Sequence, residues 1–324
     1  MKFINILKSR FITHSPLILS HQVTSLCNAQ CKICNLWKKS SQYKDDLSKG
    51  EIFDMLEKAK KAGIIGYVAW GGEPLLRKEL PDILEYAKKK NFSTTVITNG
   101  YFLKDVYKEI TPFTDLISIS IDSNDELHDK MRGVVGIKQR AIEGIELCKN
   151  TETKVVINSI ISKLNLDKIE GLVNLSKELN VPIVFEPMDI IDDGNYNRHL
   201  QPTNEELKKV FSEIWEYKKN GYKINNSYQY LENFTKPKKY LCHAPKCFVI
   251  VDPQGNVTPC LNTNFGNIKK KSFEEIFNSK KYKEFCMNAE RCNECNGTST
   301  IESSLAYSLN PFLMFAMIKN LSRY

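Results

Sequence analysis

Cys27, Cys31 and Cys34 stand within eight residues, CNAQCKIC, spaced C-x3-C-x2-C. Thiolates this close together can ligate the irons of an iron–sulfur cluster. A four-iron cube held by three protein thiolates keeps one iron without a protein ligand. An open coordination position is where a metal reacts, whereas a structural site is closed. The spacing therefore points to a reactive cluster with room for a small chelating molecule. Three alternatives stand beside it: a zinc site, a disulfide pair, or unrelated buried thiols. A closed zinc site wants four ligands, and neither His14 nor His21 lies at the usual finger spacing from the triad. A disulfide needs an oxidising compartment, and the opening MKFINILKSRFITHSP lacks the continuous apolar stretch of a secretory signal.

Further groups with chemical potential recur after β-type runs. Gly71-Gly72-Glu73-Pro74 follows one such run; two glycines let a ligand approach the backbone and leave amide N–H groups to donate, while Glu73 can accept from an ammonium group. Gly-Gly before Pro is also a common turn. Thr98-Asn99-Gly100 closes the next run. The one after alternates apolar and small polar residues through Ser118 and Ser120 to Asp122, and Arg132-Gly133 supplies a guanidinium suited to a carboxylate.

The elements that must position these groups are readable. Strand candidates at 18–24, 65–70, 93–98, 116–121, 154–160 and 181–186 are rich in Val, Ile and Thr and too apolar to be half-exposed, as buried parallel strands are. Amphipathic stretches separate them. Ser48 and Glu51 form a capping box ahead of Ile52, Met55, Leu56 and Ala59, and Gly63 ends that helix; 166–179 repeats the helical period. Six βα units demand a parallel sheet with right-handed crossovers but are too few for a closed eight-stranded barrel. The expected fold class is α/β, a partial (βα)6 parallel barrel with a small C-terminal cysteine-rich α+β domain. Ligands of such sheets bind beyond the carboxyl ends of the strands, where the triad and the other groups all fall.

The 324 residues carry a formal charge of +8, of which residues 236–324 contribute 13 Lys/Arg against 7 Asp/Glu. Hydrophobic content of 42% and charged content of 26% are those of an ordinary globular chain. No apolar run reaches the ~18–20 residues of a membrane-spanning helix. Ten cysteines without a signal peptide suggest a reducing, cytoplasmic compartment and metal ligation. The basic runs at 236–239 and 269–271 lack interleaved aromatics, so no nucleic-acid partner is expected. The expected organisation is an apolar, basic segment at 1–17, the barrel at 18–190, and a helical connector at 191–240 with a Thr203/Glu206 capping box and an apolar face of Leu207, Val210, Phe211, Ile214 and Tyr217. A cysteine-bearing domain at 241–300 and an apolar helix at 301–324 complete it. Cys148, beside Ala141, Ile145 and Leu147, is expected in the core.

On these motifs the chain resembles the radical S-adenosylmethionine (SAM) superfamily: CNAQCKIC fits its C-x3-C-x-Φ-C motif and Gly71-Gly72-Glu73-Pro74 its GGEP motif, with the likeness spanning roughly residues 15–190. The resemblance implies that Cys27, Cys31 and Cys34 bind a [4Fe–4S] cluster whose fourth iron is chelated by the amine and carboxylate of SAM. It further implies that Gly71, Gly72, Glu73 and Pro74 meet the SAM amine, that Arg132 meets its carboxylate, and that Asn99, Ser120 and Asp122 lie near ribose and carboxylate. The Φ position is usually aromatic; here it is Ile33, which offers backbone contacts to adenine but stacks less. The implied reaction is reductive cleavage of SAM to a 5′-deoxyadenosyl radical that takes hydrogen from an unactivated C–H bond, an oxidoreductase chemistry run anaerobically. A one-electron donor of the flavodoxin or ferredoxin kind is the implied partner.

A second set comprises Cys242, Cys247, Cys260, Cys286, Cys292 and Cys295. Cys242, Gly255 and Cys260 resemble the C-x9–15-G-x4-C start of SPASM and twitch domains, with Asp252-Pro253-Gln254-Gly255 as a hairpin turn. The resemblance implies one auxiliary cluster, [4Fe–4S] in type, on Cys242, Cys260, Cys292 and Cys295, with Cys247 and Cys286 as alternates. A structural zinc on the same four thiolates is the competing reading.

Substrate signals are thinner. FLMFAMI at 312–318 and the apolar, basic N-terminus suit an anionic membrane surface, or a terminal helix that closes the open side of the barrel. Hence three readings: a lipid or isoprenoid modified at the inner membrane surface, a peptide modified during maturation, or a non-catalytic iron–sulfur or zinc protein. Glu186 and Asp189, near the end of the last strand, are candidate acid–base groups.

Overall fold

The structure is a computed structural model that describes residues 9–13, 15–188, 197–236, 240–260, 263–292 and 294–308. The barrel strands are β1 Ile18–Gln22, β2 Gly66–Trp70, β3 Ser93–Thr98, β4 Leu116–Ser120, β5 Lys154–Ile161 and β6 Ile183–Pro187. All pair in parallel with their sequence neighbours. Helices α1 Lys49–Lys61, α2 Leu80–Lys89, α3 Leu103–Ile110, α4 Leu127–Arg132, α5 Ile137–Cys148 and α6 Ile169–Leu179 make the crossovers. The Ser48/Glu51 box forms in full ahead of α1, and Gly63 takes a φ of +89° just beyond it, a value that favours glycine.

The strand burial alternates. Leu19, Tyr67, Val96, Ile117, Ile157 and Phe185 pack without exposure into one core shared with the helices, Cys148 among them. The other face of the sheet is half-exposed along its length and so forms the concave wall of an open, partial (βα)6 barrel.

The connector runs through α7 Asn204–Lys219, whose Thr203/Glu206 box also forms, and α8 Tyr228–Thr235. Asn226 then protects the outer edge of β6: its amide donates to Phe185 O at 2.8 Å and accepts from Phe185 N at 2.9 Å. An edge strand otherwise presents unpaired backbone groups.

The C-terminal region is not a detached module. After α9 Ala244–Cys247, strand β7 Phe248–Val251 pairs in parallel with β1 and antiparallel with β8 Val257–Thr258. The sheet order is therefore β6-β5-β4-β3-β2-β1-β7-β8. Gly255 turns the hairpin with φ +88°. Helices α10 Phe273–Asn278, capped by a Ser272/Glu275 box, α11 Lys280–Ala289 and α12 Thr298–Tyr307 follow. α12 spans the seam between β6 and the segment ahead of β7. Its first residue bonds Glu186 of β6, while Ser304 Oγ accepts from His243 N at 2.9 Å near β7. Of the apolar helix expected at 301–324, residues 301–307 fall within α12; positions 309–324 and 1–8 lie outside the described residues. Among the described residues no helix is long and apolar enough to cross a membrane.

Candidate metal centre and active site

The triad loop leaves β1 at the carboxyl edge of the sheet and is gripped from three sides. Toward the C-terminal hairpin, Asp46 accepts from Thr24 Oγ1 at 2.8 Å, Ser25 N at 2.8 Å, Ser25 Oγ at 2.7 Å and Gln254 Nε2 at 3.2 Å. Beneath it, Arg77 donates to Val23 O at 2.6 Å and Leu47 O at 2.7 Å. On the far side, the amides of Gln30 and Lys32 donate to the last carbonyls of α4. None of these grips was visible in the motif.

Two thiols meet a backbone donor and the third a nearby charge. Ala29 N lies 3.5 Å from Cys27 Sγ and Leu36 N 3.4 Å from Cys34 Sγ, while the Arg132 guanidinium is within electrostatic reach of Cys31. Burial still pushes all three thiols up, Cys27 to about 12. Thiols so placed lose their protons to a coordinated metal rather than to water. Donors aimed at sulfur suit an anionic thiolate-ligated group, so the residues fit an iron–sulfur cluster. Among the described residues no three His, Cys, Asp or Glu side chains converge as around one ion; sulfurs on separate irons need not.

The glycine motif works differently from its sequence expectation. Gly72 N donates to Thr24 O at 3.0 Å and Glu73 N to Leu26 O at 2.7 Å, so these amides are not free for a ligand. A Cβ on Gly72 would sit 2.0 Å from Leu26 O, and one on Gly71 2.7 Å from Thr24 O. The close approach that the glycines permit is that of the triad loop itself. Gly71 also takes φ +145°, a conformation costly for other residues. Pro74 begins a short 3-10 turn that Glu73 caps through Leu75 N. An ammonium group needs acceptors, and carbonyl oxygens and the Glu73 carboxylate are the acceptors this turn contains.

Glu73 is fully buried. Its carboxylate accepts from Leu75 N at 3.0 Å, Thr98 Oγ1 at 2.6 Å and Asn99 N at 2.8 Å. Burial outweighs these donors and pushes its carboxyl up to about 7. Asn99 donates from Nδ2 to Asn28 Oδ1 at 2.9 Å and so ties β3 to the triad loop. Ser120 is half-exposed on the concave face opposite Asn158. Asp122 is buried against Arg132, with Nε 2.7 Å from Oδ2. Ile33 packs with Ala29, Cys31, Met131 and Met188 in a small apolar cluster at the rim.

Glu186 faces the interior but is not a free base. Oε1 accepts from Asn158 Nδ2 at 2.9 Å, and Oε2 accepts from Thr298 Oγ1 at 2.8 Å and Thr298 N at 3.1 Å. Its position makes it an anchor for α12. Asp189 lies outside the described residues. In the second cysteine set, Cys242 is within electrostatic reach of Cys292 and Cys286. Tyr240 Oη donates to Cys295 O at 2.9 Å, and Thr263 Oγ1 to Cys260 O at 2.7 Å. Cys247 ends α9 with its thiol 3.5 Å from Ser303 O.

Known proteins share both halves of this arrangement. Residues 22–176 match the Radical SAM superfamily and residues 242–296 match SPASM, an iron-sulfur cluster-binding domain. The AdoMet-dependent heme synthase of Methanosarcina barkeri is 28% identical over 294 residues, covering 82% of this chain and 83% of that protein. Fe-coproporphyrin III synthase of the same organism is 28% identical over 162 residues, 49% of this chain and 41% of its own. SuiB of Streptococcus suis, crystallised with S-adenosylmethionine, superposes with a TM-score of 0.70 at 18% identity, covering 88% of this chain and 71% of SuiB. The AdoMet- and peptide-bound anSMEcpe gives 0.68 at 20% identity and 88% coverage of both chains. The chain is a radical SAM enzyme with a C-terminal SPASM-type domain. Its cofactors are accordingly a [4Fe–4S] cluster with SAM and auxiliary iron–sulfur.

Proposed function

We propose that this enzyme abstracts hydrogen from a C–H bond of a peptide substrate held against the concave face of its barrel. Cys27, Cys31 and Cys34 hold the cluster in this reading, and Cys242, Cys260, Cys292 and Cys295 the auxiliary one. When bound, cluster and SAM supply a 5′-deoxyadenosyl radical, and a flavodoxin- or ferredoxin-like donor supplies the electron. The chain's own residues bind and orient: Glu73 and the Gly-Gly turn accept from the SAM amine, Arg132 receives its carboxylate, and α12 covers the seam against water.

The observation that carries the peptide reading is the chemistry of the concave wall. Ser20, Gln22, Ser118, Ser120, Asn158 and Glu186 occupy its half-exposed positions. Ile18, Val68, Trp70, Ile97, Leu116, Ile160 and Val184 share that face, so the wall alternates polar and apolar groups. Hydroxyls and amides match the donors and acceptors of a peptide backbone better than they match hydrocarbon. Structural relatives crystallised with peptides, SuiB with its precursor SuiA and anSMEcpe, accord with it. The lipid reading draws on apolar stretches at 3–12 and 312–318; Phe11 and Ile12 are described and exposed, while 3–8 and 312–318 lie outside the described residues. A second reading, a porphyrin substrate, has the heme-synthase likeness behind it.

The test is anaerobic reconstitution with iron and sulfide, then reductant, SAM and either a peptide library or Fe-coproporphyrin III. We expect 5′-deoxyadenosine from the wild type but not from a Cys27, Cys31 and Cys34 triple alanine variant, with peptides raising its yield. Stimulation by the porphyrin alone would overturn the peptide reading in favour of the second.

A further inference from the structure

The amides on both sides of Cys31 are spent on one helix end. Gln30 N donates to Arg132 O at 3.2 Å and Lys32 N to Met131 O at 2.9 Å, so Cys31 is clamped against the C-terminus of α4. The approach is close enough that a Cβ on Gly133 would lie 2.9 Å from Gln30 O. From the same helix end the Arg132 side chain turns inward, its residue only 9% exposed. Its Nε donates to Asp122 Oδ2 at 2.7 Å, and its charge lies within electrostatic reach of the Cys31 thiol. Nη2 is also 2.7 Å from Oδ2 yet completes no hydrogen bond, so donor capacity remains there in a buried place. Asp122 is itself fixed: Oδ1 accepts from Ile160 N at 3.0 Å, and its own N–H donates to His128 Nδ1 at 3.0 Å.

We propose that Arg132, braced by Asp122 and α4, is a positioning residue that raises the reduction potential of the cluster by fixing its buried charge beside Cys31 before SAM binds. The inference rests on the proposed ligation by Cys27, Cys31 and Cys34. Hydrogen bonds to sulfur and local charge are established controls of cluster potential. One-electron reduction adds a negative charge to a group already anionic, and a fixed cation at one sulfur lowers the cost of that step. Cys27 and Cys34 receive neutral backbone N–H groups; the Arg132 charge acts on Cys31 and also on Cys34. The effect is distinct from holding the SAM carboxylate, because it acts on the cluster with no SAM present.

The experiment is a potentiometric titration, followed by EPR, of reconstituted full-length wild type, Arg132→Gln and Arg132→Lys without SAM. The relevant signal is the one missing from a Cys27→Ala variant. SAM affinity is measured separately by calorimetry. We expect Arg132→Gln to lower the reduced-to-oxidised ratio at fixed poise about tenfold, a shift of about 59 mV for one electron. Arg132→Lys, which keeps the charge but loses the fork, is expected between the two. A loaded Arg132→Gln cluster at the wild-type potential, with only SAM affinity reduced, would overturn the proposal and leave Arg132 a SAM ligand. If neither variant loads the signal, Arg132 is a brace for the loop and the proposal fails as well. If Cys27→Ala loses no signal from the wild-type spectrum, the ligation reading falls instead.

Discussion

At the scale of single residues, the site is governed by what each buried polar group is already committed to. Glu73 stands at about 7 because burial outweighs its three donors. Below that value the carboxyl is protonated, and the ammonium of SAM would have to expel the proton. Above it the carboxylate is ready. Affinity for SAM is therefore expected to rise up to about tenfold per pH unit as pH approaches 7, then level off. Calorimetry in two buffers of different ionisation heat should register proton release near pH 6.5; a flat affinity from pH 6 to 8 would remove Glu73 from the amine site. Gly72→Ala forces a Cβ onto the Leu26 carbonyl, a backbone atom that cannot swing away. We expect a loss near the upper end of the ~1–3 kcal/mol typical of overpacking, with iron content falling alongside the thermal midpoint. Motif spacing made these residues legible as a group. It did not make their bonds legible, because the Gly72 and Glu73 amides are spent on Thr24 and Leu26, 48 and 47 positions earlier, and no local pattern encodes that pairing.

Among elements, the strands and helix starts could be read directly and their lateral neighbours could not. Capping boxes at Ser48, Thr203 and Ser272 all formed because each depends on two residues only three positions apart. The six barrel strands lie within a few residues of their apolar runs. What periodicity could not supply was the function of the short segment after the triad. Residues Leu36–Asp45 form 3-10 turns that deliver Asp46 to Thr24, Ser25 and Gln254, joining the cysteine loop to the C-terminal hairpin. Asp46→Ala leaves those donors without an acceptor and is expected to cost about 1–3 kcal/mol. Denaturant unfolding measures that cost, and reduced iron uptake at the triad should accompany it. Unchanged iron content with lowered stability would show that Asp46 braces the fold without shaping the site.

At the scale of the whole molecule, the sheet makes the barrel and the auxiliary region one structural unit, since β7 occupies the free edge of β1. A chain ending at Thr235 would leave that edge, with its unpaired N–H and C=O groups, open to other chains. We expect it to aggregate or fail to hold iron at Cys27, Cys31 and Cys34, as read by light scattering and metal analysis. A monomeric, iron-loaded fragment would show the halves to be independent. The same pairing has a consequence in time. Ile18 meets Phe248, a partner 230 positions later in the chain. At ~5–20 residues per second of synthesis, β1 waits roughly 10–50 s before its second neighbour exists. Closing so long a loop is also entropically slow. The strand that leads into the three cysteines is therefore among the earliest made and the latest secured, so the growing chain spends most of its synthesis with those thiols on an unfinished support.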